Sequence, residues 1–249
     1  MNPFAEPAPK KHFQGTHRSR SLADSVAAAN RVRSKAGITR VANVTGLDTI
    51  GLPVVAVYRP NARSVSVAQG KGLSIDAALA SGLMEAIETH HAEHVERPLR
   101  LARASELRAR ARVVNVDRLP RLVSAESRLN RPTLWIEGFD LMHDASSWVP
   151  YEMVHTNYTF PLPTGSGVFM MSSNGLASGN HALEAISHSI CEVVERDAVT
   201  LWSLQGAWGG MTVESIRTRS AMRIASSSSS GSTPPGSRAR SGMRRVTSA

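Results

Sequence analysis

The 249-residue chain has a single cysteine, Cys191. That excludes an internal disulfide framework and fits a reducing compartment, with the cytoplasm as the default. No window approaches the ~20 consecutive apolar residues of a membrane span. The opening stretch, MNPFAEPAPKKHFQGTHR, lacks the apolar centre of a secretory signal. No Walker loop and no strand-linked GxGxxG is present, which removes the two commonest phosphate-binding loops. Acidic residues are short in number, 20 against 29 Lys and Arg, for a net charge of +9. The excess is uneven: residues 211–249 hold seven Arg and one Glu, leaving 22 basic and 19 acidic residues elsewhere. The basic balance is mostly a property of that tail and argues little for a nucleic-acid partner of the rest.

What is present is an ordinary globular composition, 41% hydrophobic and 20% charged. Residues 1–15 read as a flexible N-terminus. A helix over 21–36 starts at Ser21 as N-cap and stops at Gly37. Alternation over 38–44, the run VVAVY at 54–58 and SVSVA at 64–68 read as strands. A long helix over 74–96 ends before Pro98. A short helix over 104–110, a strand over 133–140, an edge strand or loop at 148–151 and a strand at 169–172 precede a second long helix over 181–204. The pattern predicts an α/β (α+β) fold of mixed sheets and helices spanning 16–210. After Gly210 five consecutive serines, then Gly, Pro and scattered Arg, carry no hydrophobic period; 211–249 read as a disordered low-complexity tail.

The chain repeats itself once. At an offset of 107, Gly72 falls on Gly179, Ser74 on His181, Ala77 on Glu184, Ser81 on His188, and Glu85-Ala-Ile-Glu88 on Glu192-Val-Val-Glu195. Each copy is a Gly turn followed by a helix bearing Glu-x-x-Glu. Residues three or four apart share a helix face, so Glu85 and Glu88 project together, and Glu184, His188, Glu192 and Glu195 form one stripe. A face of Ala185, Ile186, Val193 and Val194 is left for packing. Like charges so spaced cost roughly 0.2–0.5 kcal/mol per pair unless neutralised. All-oxygen ligands suit a hard cation such as Mg2+, which borrows phosphate oxygens, and helix N-termini after Gly turns favour anions. A solvated face would also explain one Glu stripe, but not its repetition. Arg196 can pair with Glu192 at i+4. His188 and Cys191 read as helix-packing residues, and Trp202 and Trp208 as core. His90 and His94 share a face that His91 does not; with no cysteine nearby, zinc is not the expectation there.

Several long motifs in order resemble the YcaO family, in the branch that works with TfuA-type partners: GTHR (15–18), GITRVANVTGLDTIGLPVVAVYRP (37–60), QGKG (69–72), SGLMEAIETHHAE (81–93) and NGLASGNHALEAISHSICEVVERDA (174–198). The resemblance implies ATP-dependent activation of peptide backbone amides, by phosphorylation of the amide oxygen, for azoline, thioamide or amidine formation. By the same resemblance Glu85, Glu88, Glu184, Glu192 and Glu195 hold Mg2+ and the triphosphate. Ser81, Asn180, Arg196 and Arg18 would contact the nucleotide. A peptide or protein substrate, a TfuA-like partner and a homodimer fit the family. Thr89 departs from the Arg that many relatives carry after the first Glu-x-x-Glu. Family members also continue beyond the second helix, where this chain has its Ser/Arg tail, so 211–249 are expected not to be native family sequence. The alternatives are a non-catalytic remnant that binds a peptide or partner, and a nucleic-acid binder acting through the tail.

Overall fold

A computed structural model describes residues 4, 6–13, 16–122 and 130–208; the expectation for 211–249 lies outside the described residues. The chain divides at Arg196 into two units, and only 197–208 of the second are described. The first unit begins with a small hairpin, β1 (Lys11–Phe13) and β2 (Thr16–Arg18). Helix α1 (Leu22–Val32) follows. Its N-cap Ser21 accepts from the Asp24 N–H at 3.1 Å, satisfying a donor that the first turn leaves open.

Three antiparallel strands come next: β3 (Arg40–Asn43), β4 (Val54–Tyr58) and β5 (Val67–Lys71), with β4 in the centre. Helix α2 (Ile75–Glu93) packs on this sheet and α1 packs against α2, and Val55, Val57, Ala68, Ala78, Leu83 and Ala86 join one core. The helix lies close to the sheet because its buried side is built of small residues. A Cβ at Gly70 would collide with the Ala78 carbonyl and the Gly82 amide; one at Gly82 would lie 3.0 Å from Gly70 N. Tight packing of backbone on backbone is what only glycine permits here.

A second antiparallel sheet follows: β6 (Leu99–Ala102), β7 (Thr133–Asp140) and β8 (Ala145–Pro150), with the short α3 (Ala104–Arg108) between its first two strands. Its core holds Leu107, Trp135, Val168 and Phe169. The last helix, α4 (Ala182–Trp208), carries the second Glu-x-x-Glu. The architecture matches the expected α/β (α+β) class, and the sheets among the described residues pair their strands antiparallel throughout. No helix among the described residues is long and apolar enough to cross a membrane.

The structure departs from the sequence reading in places that have physical causes. The strand expected at 64–68 sits at Val67–Lys71 because the Ser64 N–H donates to the Glu93 carboxylate, 3.0 Å away, instead of to a strand. The strand expected at 169–172 is a single bridge between Arg121 and Phe169. The N–H groups of Gly167, Val168 and Phe169 all donate to the buried Glu152 carboxylate. The face of α4 expected to pack is exposed at Val193 and Val194. Trp202, expected in the core, is 47% exposed; the side chain of Trp208 lies outside the described residues. A 3.6-residue period tells which residues share a face, not what lies against it.

Candidate functional site

The two turn–helix units have the same local construction. Ser74 caps α2 by accepting from the Ala77 N–H at 3.2 Å, and the Ala78 N–H donates to Ser74 O at 3.0 Å. At α4 the His181 ring accepts from the Leu183 N–H at 3.1 Å, and the Ala185 N–H donates to His181 O at 3.1 Å. A Cβ at Gly72 would meet Ala77 and Ala78; one at Gly179 would meet Glu184 and Ala185, at 2.9 and 2.7 Å. Every one of these positions is separated from its counterpart by 107 residues, apart from the N–H that each cap accepts. The repeat in the sequence is therefore a repeat in contacts.

The carboxylate faces of the two helices open on one cleft of about 410 Å3, within the ~300–1,000 Å3 of small-molecule sites. Helix α2 supplies Ser81, Glu85 and Glu88; α4 supplies His188, Glu192 and Arg196. Arg18 at the end of β2, Thr156 and Ser178 complete the polar wall. Glu85 is exposed on the cleft, where partial desolvation raises its carboxyl above its usual 4.5, against a backbone hydrogen bond from Gln69 and the attraction of Lys71. Glu88 is raised by desolvation too, opposed by hydrogen bonding to Ser178 and by His188, and raised further by Glu85. Among the described residues neither carboxylate has a salt-bridge partner. Glu192 is held from both sides: the Gly175 N–H donates to Oε2 at 2.9 Å and Arg196 Nε donates to Oε1 at 2.6 Å.

Two further atoms at the cleft lack partners among the described residues. The Nε of Arg18 and the hydroxyl of Thr156 are buried with no hydrogen bond. A buried donor left unmade costs about 1–3 kcal/mol. The cleft thus combines under-neutralised carboxylates, which call for a cation, with unsatisfied donors, which call for an anion. Oxygen ligands without sulfur or a paired imidazole fit Mg2+, and an Arg with an open N–H fits phosphate. The residues present fit a Mg2+–nucleotide.

Not every residue singled out from the sequence lines the cleft. Glu184 is 7% exposed and accepts from the Ser19 N–H (2.8 Å), the Ser19 hydroxyl (2.6 Å) and Asn180 Nδ2 (3.2 Å). Burial pushes its carboxyl up, but these bonds outweigh burial and hold it below the usual range. Asn180 Oδ1 lies 3.0 Å from the Ser25 hydroxyl. Together Glu184 and Asn180 tie the start of α4 to the β2–α1 junction, and Glu184 pins the residue next to Arg18. Glu195 is exposed and does not line the cleft. His188, taken from the sequence as a packing residue, is exposed and lines it. Its place opposite Ser81 in the repeat was the available signal. Thr156 stands in a loop that no pattern marks; Ser178 lies within the motif at 174–198, but no helical period distinguishes it from its neighbours.

Residues 69–228 match the family model described as YcaO cyclodehydratase, ATP- and Mg2+-binding. A Rhizobium leguminosarum bv. trifolii protein, described as lying in the tfuA 3′ region, is 41% identical over 170 residues, 68% of this chain and 40% of that protein. The chain spans 40–45% of the length of the curated relatives it matches. The structure of YcaO from Methanopyrus kandleri, bound with AMPPCP and Mg2+, superposes with a TM-score of 0.57 at 21% identity, over 79% of this chain and 48% of that one. A heterocyclase in complex with substrate and cofactor gives 0.65 at 22% identity, over 81% and 30%. At these identities the two structures establish the shared fold.

Proposed function

The chain belongs to the YcaO family, and from that premise we propose that its cleft binds Mg2+–ATP and serves ATP-dependent activation of a peptide backbone amide, for thioamide or azoline formation. The observation that supports this is the double deficit of the cleft. Among the described residues Glu85 and Glu88 are raised by desolvation without a salt-bridge partner, while Arg18 Nε and the Thr156 hydroxyl are buried without an acceptor. One ligand that is cationic at its metal and anionic at its phosphates satisfies both.

In this reading Glu85, Glu88 and Glu192 hold Mg2+, with Glu195 one turn further along α4. Arg18, Ser81 and Arg196 face the phosphates, and Asn180 and Glu184 fix the wall that carries Arg18. When bound, Mg2+–ATP supplies the transferable phosphoryl group. The chain contributes alignment and charge stabilisation rather than a nucleophile, which is what phosphoryl transfer asks of a protein. A peptide or protein substrate and a TfuA-like partner complete the proposal; the latter is supported by the place of the Rhizobium relative beside tfuA. The single cysteine fits action in the cytoplasm.

Calorimetric titration of Mg2+–ATP into the purified chain tests this. Binding is expected, with a loss of about tenfold or more, ~1.4 kcal/mol, in Glu192→Gln. Binding that survives unchanged in both Glu192→Gln and Glu88→Gln would remove the cleft from the proposal, and absence of binding to the unaltered chain would end it.

A further inference from the structure

Helix α2 carries a second cluster one turn beyond Glu88, which the cleft does not use. His90, Glu93 and His94 stand at i, i+3 and i+4, on one face. One ligand atom from each lies within 4.8 Å of the others. We propose that these three residues bind a borderline divalent transition metal, of the class of Zn2+, Co2+ or Ni2+, at a site separate from the glutamate cleft.

The geometry near each ligand supports this. His94 Nδ1 lies 3.0 Å from the carbonyl oxygen of His90, which can only accept, so Nδ1 carries the proton and Nε2 presents a lone pair. A carbonyl behind the imidazole is the usual device that fixes the tautomer and the orientation of a metal-binding histidine. The rings of His90 and His94 are tilted by 31° with centroids 4.5 Å apart, and each brings a ring nitrogen within 4.8 Å of the other's and of a Glu93 oxygen. Both rings are half-buried, within reach of an entering ion.

Glu93 can be the third ligand without surrendering its structural bonds. Its Oε1 accepts from the Ser64 N–H, the Ser64 hydroxyl and Arg59 Nη1. Its Oε2 accepts from Arg59 Nη2, and a backbone hydrogen bond from Arg63 also reaches the carboxylate, so a metal would share the carboxylate with these donors. Arg59 also explains why the cluster is stable without an ion, since Glu93 is already neutralised. Its positive charge beside the site limits affinity. Tetrahedral metal–ligand bonds of ~2.0–2.2 Å hold two ligand atoms roughly 3.3–3.6 Å apart, so closure on an ion needs the imidazoles to rotate inward by roughly an ångström. Two imidazole nitrogens and one carboxylate select transition metals over Mg2+, whereas the all-oxygen cleft selects the reverse. Three protein ligands leave a fourth position for water.

The test is Co2+ titration of the full-length chain, stripped of metal, in millimolar Mg2+ so that the hard ion holds the cleft. One equivalent is expected to give a visible four-coordinate absorption band. His90→Ala and His94→Ala should each weaken Co2+ binding by about tenfold or more, and the double variant should abolish the band. His91→Ala, on the exposed neighbouring position, and Glu192→Gln in the cleft should leave it unchanged. As a check that does not depend on the variants folding, Zn2+ should protect His90 and His94 of the unaltered chain from diethylpyrocarbonate, read by mass spectrometry. No band, a band that survives the double substitution, or no zinc protection overturns the proposal.

Discussion

Glu88 is half-buried on α2 with Glu85 one turn before it, and burial raises its carboxyl above the usual 4.5. A carboxylate in that position opposes folding of the ligand-free chain and favours a chain with a cation bound. Glu88→Gln separates the two effects. Relief of the like-charge pair is worth roughly 0.2–0.5 kcal/mol, so the ligand-free variant should melt slightly higher than the unaltered chain while its Mg2+–ATP affinity falls. Thermal melts with and without ligand read both; a ligand-free variant that melts lower contradicts the account of Glu88 as under-neutralised.

Arg59 and Glu93 show the opposite condition. They form a buried ion pair, side chains 4% and 0% exposed, with Arg59 Nε also donating to Ala36 O at 3.0 Å. Removing one partner of such a pair costs about 3–5 kcal/mol because the other charge is stranded. Arg59→Met is therefore expected to destabilise by that amount in urea melts. Arg59→Met with Glu93→Leu should recover part of it, short of all, because the Ser64 N–H and hydroxyl lose their acceptor. Neither half of this pair was legible in the sequence. Arg59 lies at the start of a turn, and nothing in the sequence separates Glu93 from Glu85 and Glu88 on the same helix. Which glutamate is clamped and which is open depends on what the neighbouring elements bring to it.

At the scale of elements, the turn–helix unit was legible because it occurs twice. The offset of 107 residues pairs not only Glu-x-x-Glu but the steric fit of glycine against the following turn. Gly179→Ala would place a Cβ 2.7 Å from Ala185 N and 2.9 Å from Glu184 Cβ, neither the end of a flexible side chain. The loop must shift, at about 1–3 kcal/mol by the usual cost of overpacking. Gly46→Ala, with nothing within 4 Å of the added Cβ, serves as the neutral control in the same urea melts. Equal stability of the two variants would deny the close approach. The strands were legible where a run is apolar and fully paired, as in VVAVY and TLWIEGFD, whose observed limits are Val54–Tyr58 and Thr133–Asp140. They were not where side chains intervene. Glu152 takes three consecutive N–H groups and Glu93 takes that of Ser64, and a carboxylate that competes with a strand leaves no period to read. The hairpin β1–β2 and strand β6 are too short, at three and four residues, to carry one.

For the whole molecule these local states combine into an acid-stability curve to which groups of differing sign contribute; the His90 imidazole, held low by burial, His94 and Arg59, acts in the same direction as that of His155. Burial holds the His155 imidazole below its usual 6.5. Its Nδ1 accepts from the Asn157 N–H while Nε2 has no partner. A buried neutral imidazole stabilises fully above the unfolded value and loses that stability as pH falls below 6.5 toward the folded value. Glu85 and Glu88 act the other way. Their raised carboxyls impose a cost above the folded value that is relieved as pH falls through it toward 4.5. Glu93 and Glu184 are depressed because their hydrogen bonds outweigh burial. Their contribution is complete above 4.5 and is lost as pH falls through the lower folded values. Between 6.5 and 4.5 the histidines and the cleft carboxylates oppose each other, and the loss from Glu93 and Glu184 is added only below 4.5. In Glu85→Gln/Glu88→Gln the relief is gone and the histidine loss stands alone. The double variant should therefore be the more stable chain near neutral pH and lose its advantage as pH approaches 4.5. Urea melts from roughly pH 4 to 7.5 check the crossing; two parallel curves would mean that the cleft carboxylates are not the groups that titrate in this range.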